Sequence, residues 1–144
     1  VLLLAACASI QTPRREVAGV SIGMSRNAVH AKLGANGTML REERKRQEVW
    51  ELRGSQFASA IVGYDEEWRV RYVTAVAKEK IRYADVLDVN AAEHRTDGRN
   101  HTYVWKPSPR ADYVVRARGT DPEVLTYLTL RRIGGERESE EEDD

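Results

Sequence analysis

GVSIGMSRNAVHAKLG, residues 19–34, is the stretch around which the rest of the chain is read, because several independent helix signals agree there. The Ser25 hydroxyl is placed to cap a helix, since a serine side chain at that position accepts a hydrogen bond from the exposed amides of the first turn. Ala28, Val29 and Leu33 then recur at helical spacing. Gly34 is placed to end the helix in a left-handed conformation. The stretch therefore predicts one short amphipathic helix with a defined start and stop.

Beyond it the chain turns through Ala35-Asn36-Gly37 and enters TMLREERKRQ, where apolar residues nearly vanish. That run reads as a solvent-exposed edge strand or a loop. Order returns in Glu48-Val49-Trp50-Glu51-Leu52-Arg53, where Trp50 and Leu52 alternate with Glu51 and Arg53 as a half-buried strand requires. Gly54-Ser55 breaks this strand. Phe57 to Tyr64 reads as a second strand, Asp65-Glu66-Glu67 as a turn, and Trp68, Val70, Tyr72, Thr74 and Val76 as one face of a third.

The second half follows the same order at a displacement of 55 residues, with Val49-Trp50 answered by Val104-Trp105, Tyr72 by Tyr127 and Thr74 by Thr129. Arg82 to Val89 meets the helix positions at a slightly larger shift. Tyr103-Val104-Trp105 reads as a strand stopped by Pro107-Ser108-Pro109, because proline cannot donate to a ladder. Tyr113 to Ala117 and Val124 to Arg131 read as two more strands, joined by a turn at Gly119-Thr120-Asp121-Pro122. The expected fold class is α+β, two tandem repeats, each a short helical segment packed on a three-stranded antiparallel sheet. The expected divisions are a first repeat over 19–79 and a second over 80–134.

Ile22-Gly23-Met24-Ser25, Val29, Leu33-Gly34, the Trp50 strand and the hairpin after it together resemble the SmpA/OmlA (BamE-like) domain of bacterial envelope lipoproteins. The tandem arrangement resembles that of beta-lactamase-inhibitor-protein-like folds, in which two repeats form one sheet that grips a partner. Both resemblances imply a binding module, with no catalytic residues and no cofactor. The first implies a partner in the outer-membrane barrel-assembly machinery, and the second an enzyme held against the sheet face.

Val1-Leu2-Leu3-Leu4-Ala5-Ala6-Cys7 is an apolar run that ends in small residues before the chain's single cysteine. It looks like the end of a lipoprotein signal peptide with its lipobox, over residues 1–7, and makes Cys7 the expected site of lipid attachment. The run is too short to span a bilayer, so an acyl-modified Cys7 is the expected membrane anchor. Ala8 and Ser9 follow it rather than an aspartate, which, by resemblance to lipoproteins of diderm bacteria, implies the periplasmic face of the outer membrane. Residues 8–18 then form a tether, with Pro13 opening a short helix around 13–18.

The formal net charge of zero conceals an asymmetry. ERESEEEDD, residues 136–144, holds seven acids and one base, which leaves 22 basic and 16 acidic residues in the body. Residues 135–144 read as a solvated acidic tail. The basic residues of the body are spread among acids, with no arginine-rich run and no interleaved aromatic platform, so no nucleic-acid partner is expected.

No pair among His30, His94 and His101 has the spacing that puts two imidazoles on one helical face, and although His94 and His101 bracket a turn with Asp97, no metal site is expected. His30 is expected to face solvent from the helix. There is no G-x-S-x-G elbow, and Glu66 and Glu67, as successive residues, cannot converge. The residues most able to anchor a protein partner are Trp68, Tyr64, Tyr72 and Tyr127, since aromatic side chains dominate interface hot spots. Trp50 and Trp105 are expected to pack in the core, and Trp68, beside an acidic turn, to be exposed.

Overall fold

A computed structural model describes residues 15–43 and 46–134. Cys7, the lipobox, the start of the tether and the acidic tail lie outside the described residues. The chain begins there with a tight hairpin, β1 (Glu16–Val17) and β2 (Val20–Ser21), turned by Ala18 and Gly19, both at positive φ. Two consecutive positive φ angles make the hairpin turn whose twist matches paired strands. The short helix expected around 13–18 is therefore corrected to a hairpin as far as it lies within the described residues.

The helix read from the sequence is α1 (Arg26–Gly34). The Ser25 hydroxyl accepts the Ala28 amide at 3.2 Å, and Val29 and Leu33 are its buried positions. Its end differs from expectation, because Ala35, in ordinary right-handed conformation, closes it rather than a left-handed Gly34.

Eight strands form one antiparallel sheet. The first four are β3 (Gly37–Glu43), β4 (Gln47–Leu52), β5 (Phe57–Tyr64) and β6 (Val70–Ala77). After a single helical turn, α2 (Tyr83–Val86), come β7 (Glu93–Asp97), β8 (Asn100–Trp105), β9 (Tyr113–Gly119) and β10 (Tyr127–Arg132). The order across the sheet is β3-β4-β5-β6-β10-β9-β8-β7. Each half is a meander, and the last strand of one pairs with the last strand of the other.

The expected pair of helix-on-three-strand repeats is corrected by this arrangement. Each half supplies four strands, the extra ones being the edge strands β3 and β7, and the halves merge through five consecutive residue pairs between β6 and β10. An unpaired strand edge exposes a row of amides and carbonyls, and here each half satisfies that row on the other. The second half carries only the four-residue α2 where a helix like α1 was expected. Thr74 and Thr129 lie directly opposite, their hydroxyls 2.9 Å apart, and Tyr72 faces Arg131 as Val76 faces Tyr127. The register is thus symmetric about the threonine pair.

One face of the sheet is covered. Val62, Val73, Ala75, Val115, Ala117, Leu128 and Leu130 point into a single core closed by Val17, Val20, Val29 and Leu33 from the hairpin and α1, and by Tyr83, Val86 and Leu87 around α2. Trp50 and Trp105 are buried in it as expected, at 4% and 7% exposure. Among the described residues, no helix is long and apolar enough to cross a membrane.

Candidate functional site

The other face of the sheet has no element packed on it among the described residues. Strand alternation puts Val49 and Glu51 of β4, Ser59, Ile61 and Gly63 of β5, and Tyr72, Thr74 and Val76 of β6 on this side. β10 adds Tyr127, Thr129 and Arg131, and β9 adds Val114, Arg116 and Arg118.

Two aromatic residues organise it. Tyr72 lies across Gly63, so closely that a side-chain carbon on residue 63 would sit 2.1 Å from the Tyr72 ring. Its hydroxyl donates to Gln47 Oε1 at 2.8 Å. The ring is therefore pinned flat along the row Gln47-Gly63-Tyr72, with the Arg71 guanidinium over it at 5.6 Å. Tyr127, on the neighbouring strand, is 46% exposed, among the most exposed large hydrophobic residues described.

The reading of β6 needs one correction to reach this arrangement. Tyr72 pairs with Gly63 but Val70 pairs with Tyr64, so Arg71 is the extra residue of a bulge and the alternation changes phase there. Val70 faces the core at 0% exposure instead of sharing a face with Tyr72. Trp68 belongs to the turn before the strand, with φ 60°. A bulky residue in the left-handed region is rare. Asp65 holds that turn by accepting the amides of Glu67 at 2.9 Å and Arg69 at 3.0 Å.

The four aromatic residues singled out in the sequence consequently fall into two places. Tyr72 and Tyr127 share the open face. Tyr64 is 2% exposed and points to the covered side, and Trp68 is half-buried against the core rather than exposed. The Trp68 ring is 5.8 Å from Tyr64, with the guanidinium groups of Arg26 and Arg46 at 4.7 and 5.5 Å.

Beneath Tyr64 lies a charged cluster that the sequence reading missed. The Glu48 side chain is fully buried and accepts from Tyr64 Oη at 2.6 Å, His30 Nε2 at 2.7 Å and Arg26 Nε at 3.0 Å. Burial pushes its carboxyl up, but the hydrogen bonds from Tyr64, His30 and Arg26 outweigh it and hold the group below its ordinary value. Burial, followed by the bond to Glu48, pushes the Tyr64 hydroxyl well above its ordinary range. His30, expected to face solvent, is instead turned toward Glu48 and meets Trp50 edge-on at 5.3 Å. The signal was present in the alternation of β4, because stepping back by two from Leu52 and Trp50 lands on Glu48.

His94 Nε2 and His101 Nδ1 are 3.2 Å apart on the β7–β8 hairpin. The ring centroids are 5.5 Å apart, so the nitrogens lie nearly on the line between them and point at each other, as in a hydrogen bond, rather than converging on an ion. Among the described residues no group of three or more histidine, cysteine, aspartate or glutamate side chains is arranged to hold a metal.

No family model matches the sequence, and no curated protein is significantly similar to it. The structure is similar to that of a DUF4309 family protein, YjgB, from Bacillus subtilis. The TM-score is 0.57 at 11% identity, covering 85% of this chain and 87% of that one. This likeness concerns the fold alone. It corrects the expected SmpA/OmlA (BamE-like) recognition, together with the tandem-repeat arrangement attached to it, since the neighbour is a sheet protein of another family. The residues that carried the resemblance form a turn, a serine cap and a nine-residue helix. Those are features of any short capped helix, whatever sheet it packs on.

Proposed function

We propose that this chain is a non-enzymatic protein-binding module that engages its partner through the open face of the sheet and is held at the periplasmic face of the outer membrane by lipid on Cys7. The observation that carries the proposal is the Tyr72–Tyr127 surface, where one aromatic ring is pinned flat and the other is exposed, with aliphatic Ile61 and Val76 on the adjoining strands. Rigid aromatic groups contribute contact area with little ordering cost, which suits them to anchor a partner. The Glu48 cluster supports a non-catalytic role, because its carboxylate lies under the surface and all three of its donors are the chain's own side chains.

Capture of an enzyme against the sheet is the version this surface favours over barrel assembly. Both versions entered with resemblances that the fold corrects, and enzyme capture is kept because it alone assigns the contact to the sheet face. The test is crosslinking in membranes of cells expressing the full protein, with Cys7→Ala as control. Recovery of a discrete partner that is lost when Tyr72 and Tyr127 are both replaced by alanine supports the proposal. Recovery unaffected by that double substitution overturns the face assignment, and an unchanged membrane fraction for Cys7→Ala overturns the lipid anchor.

A further inference from the structure

We infer that the β9–β10 part of the open face docks an acidic, extended segment of a partner protein. The inference rests on the face-binding reading above and names the chemistry it recognises. Arg116 and Arg118 are both exposed, and neither has an ion-pair or hydrogen-bond partner for its side chain among the described residues. Their cross-strand neighbours on this face are Thr129 and Val104 beside Arg116, and Tyr127 and Thr102 beside Arg118. No acid sits directly opposite either one. Arg131, two residues along β10 from Thr129, lies on the same face.

The spacing sets the kind of ligand. Alternate residues of a strand lie about 6.6 Å apart along it, and an extended segment presents its own alternate side chains at the same interval. Two carboxylates at positions i and i+2 therefore meet two guanidinium groups in register. Guanidinium pairs carboxylate through two parallel hydrogen bonds, which favours this match over a point-charge contact. Tyr127 flanks Arg118 and supplies the apolar contact that fixes the segment laterally.

The basic row is short. Beyond it on the same face, Glu93 of β7 is paired with Arg95 at 2.8 Å, and Glu51 lies on β4. These acids lie lateral to β9 and β10 and limit the width of the basic patch, so it fits a single extended acidic segment laid along the strands.

The test is an amide NMR titration of the full chain with a short synthetic peptide of alternating glutamate and valine, with a glutamine-for-glutamate peptide as control. The expected result is that the acidic peptide alone shifts the signals of Arg116, Arg118, Tyr127 and Thr129. Arg116→Gln/Arg118→Gln should weaken it about tenfold with no change in melting temperature. A full-length variant with the seven acids of residues 136–144 neutralised should bind with the same affinity.

The inference is overturned if the shifts map elsewhere, or if the double arginine variant binds equally well. It is also overturned if a short oligothymidylate binds more tightly than the peptide, or if only the tail-neutralised variant binds, which would make the chain's own acids the occupant. A crosslinked partner that survives Arg116→Gln/Arg118→Gln but not Tyr72→Ala/Tyr127→Ala would sink the acidic-segment inference while leaving the face-binding reading standing.

Discussion

The two faces of the sheet are made by the same strands, yet they do different work. On β10, Leu128 and Leu130 are fully buried under the hairpin and helices, while Tyr127, next to Leu128 but facing the other side, is 46% exposed. The covered face holds the fold together by removing apolar area from water. The open face retains aromatic and basic groups that a solvent-facing layer does not require for folding. The difference separates stability from binding residue by residue, and neighbours in one strand can test it.

The largest expected effect is on the covered side. Leu128→Ala should destabilise the fold by about 2–5 kcal/mol in denaturant melts, whereas Tyr127→Ala should stay within about 0.5 kcal/mol of the parent. Equal losses at the two positions would break the comparison, because they would mean that the open face is also core.

Next is the buried charge. Glu48→Gln keeps the size of the side chain but weakens three hydrogen bonds to an ionised acceptor, and should cost about 2 kcal/mol. The sign of the pH dependence follows from the depressed folded values of Glu48 and Asp65. Asp65 is pushed up by burial, but it is held down overall by the Arg69 amide and by Arg132, whose guanidinium lies 2.8 Å away. A carboxyl depressed on folding gives stability that is fully present above its unfolded value and is lost as pH falls through the folded one. The melting temperature should therefore fall as pH drops below the ordinary carboxylate range near 4, and Glu48→Gln should flatten part of that fall.

The smallest effect sharpens the comparison from the open side. Gly63→Ala drives a methyl group into the Tyr72 ring, which must lift off the strand and release Gln47. The expected cost is about 1 kcal/mol, because a single side chain on the open face swings away while the backbone stays in place. The measurable consequence is a displaced Tyr72 ring in side-chain NMR spectra, together with weakened partner capture. Loss of several kcal/mol would instead make Tyr72 a structural residue.

How much of this was legible in the sequence depended on which signal each element used. α1 was readable because its cap is local, with Ser25 and Ala28 three residues apart. β9 was readable because buried and exposed positions alternate along it, the end of β4 because buried Trp50 and Leu52 flank exposed Glu51, and β5 because Gly54-Ser55 and Asp65-Glu66 bound it. β7, Glu-His-Arg-Thr-Asp, carries no apolar residue and is exposed throughout, so an edge strand held only by its ladder left no hydropathy trace. The bulge at Arg71 is invisible to strict alternation, which put Val70 on the wrong face. Pairing of the two halves through β6 and β10 is a long-range event. The correspondence of Thr74 with Thr129 marked the residues that meet without saying that they would join one sheet. At the candidate site, Tyr72 and Tyr127 were singled out for their chemistry, but their shared face follows from that register alone. Glu48 was passed over because a single charged residue reads as exposed until its three donors are seen.

The central claim is that the open face, and not the covered one, receives the partner. The most direct measurement places a photo-crosslinking amino acid at position 127 or 118 on the open face, and at exposed Ala84 on α2 of the covered side, in the full-length protein in membranes. The account predicts one and the same adduct from positions 127 and 118 and none from 84. An adduct from position 84 alone would contradict it.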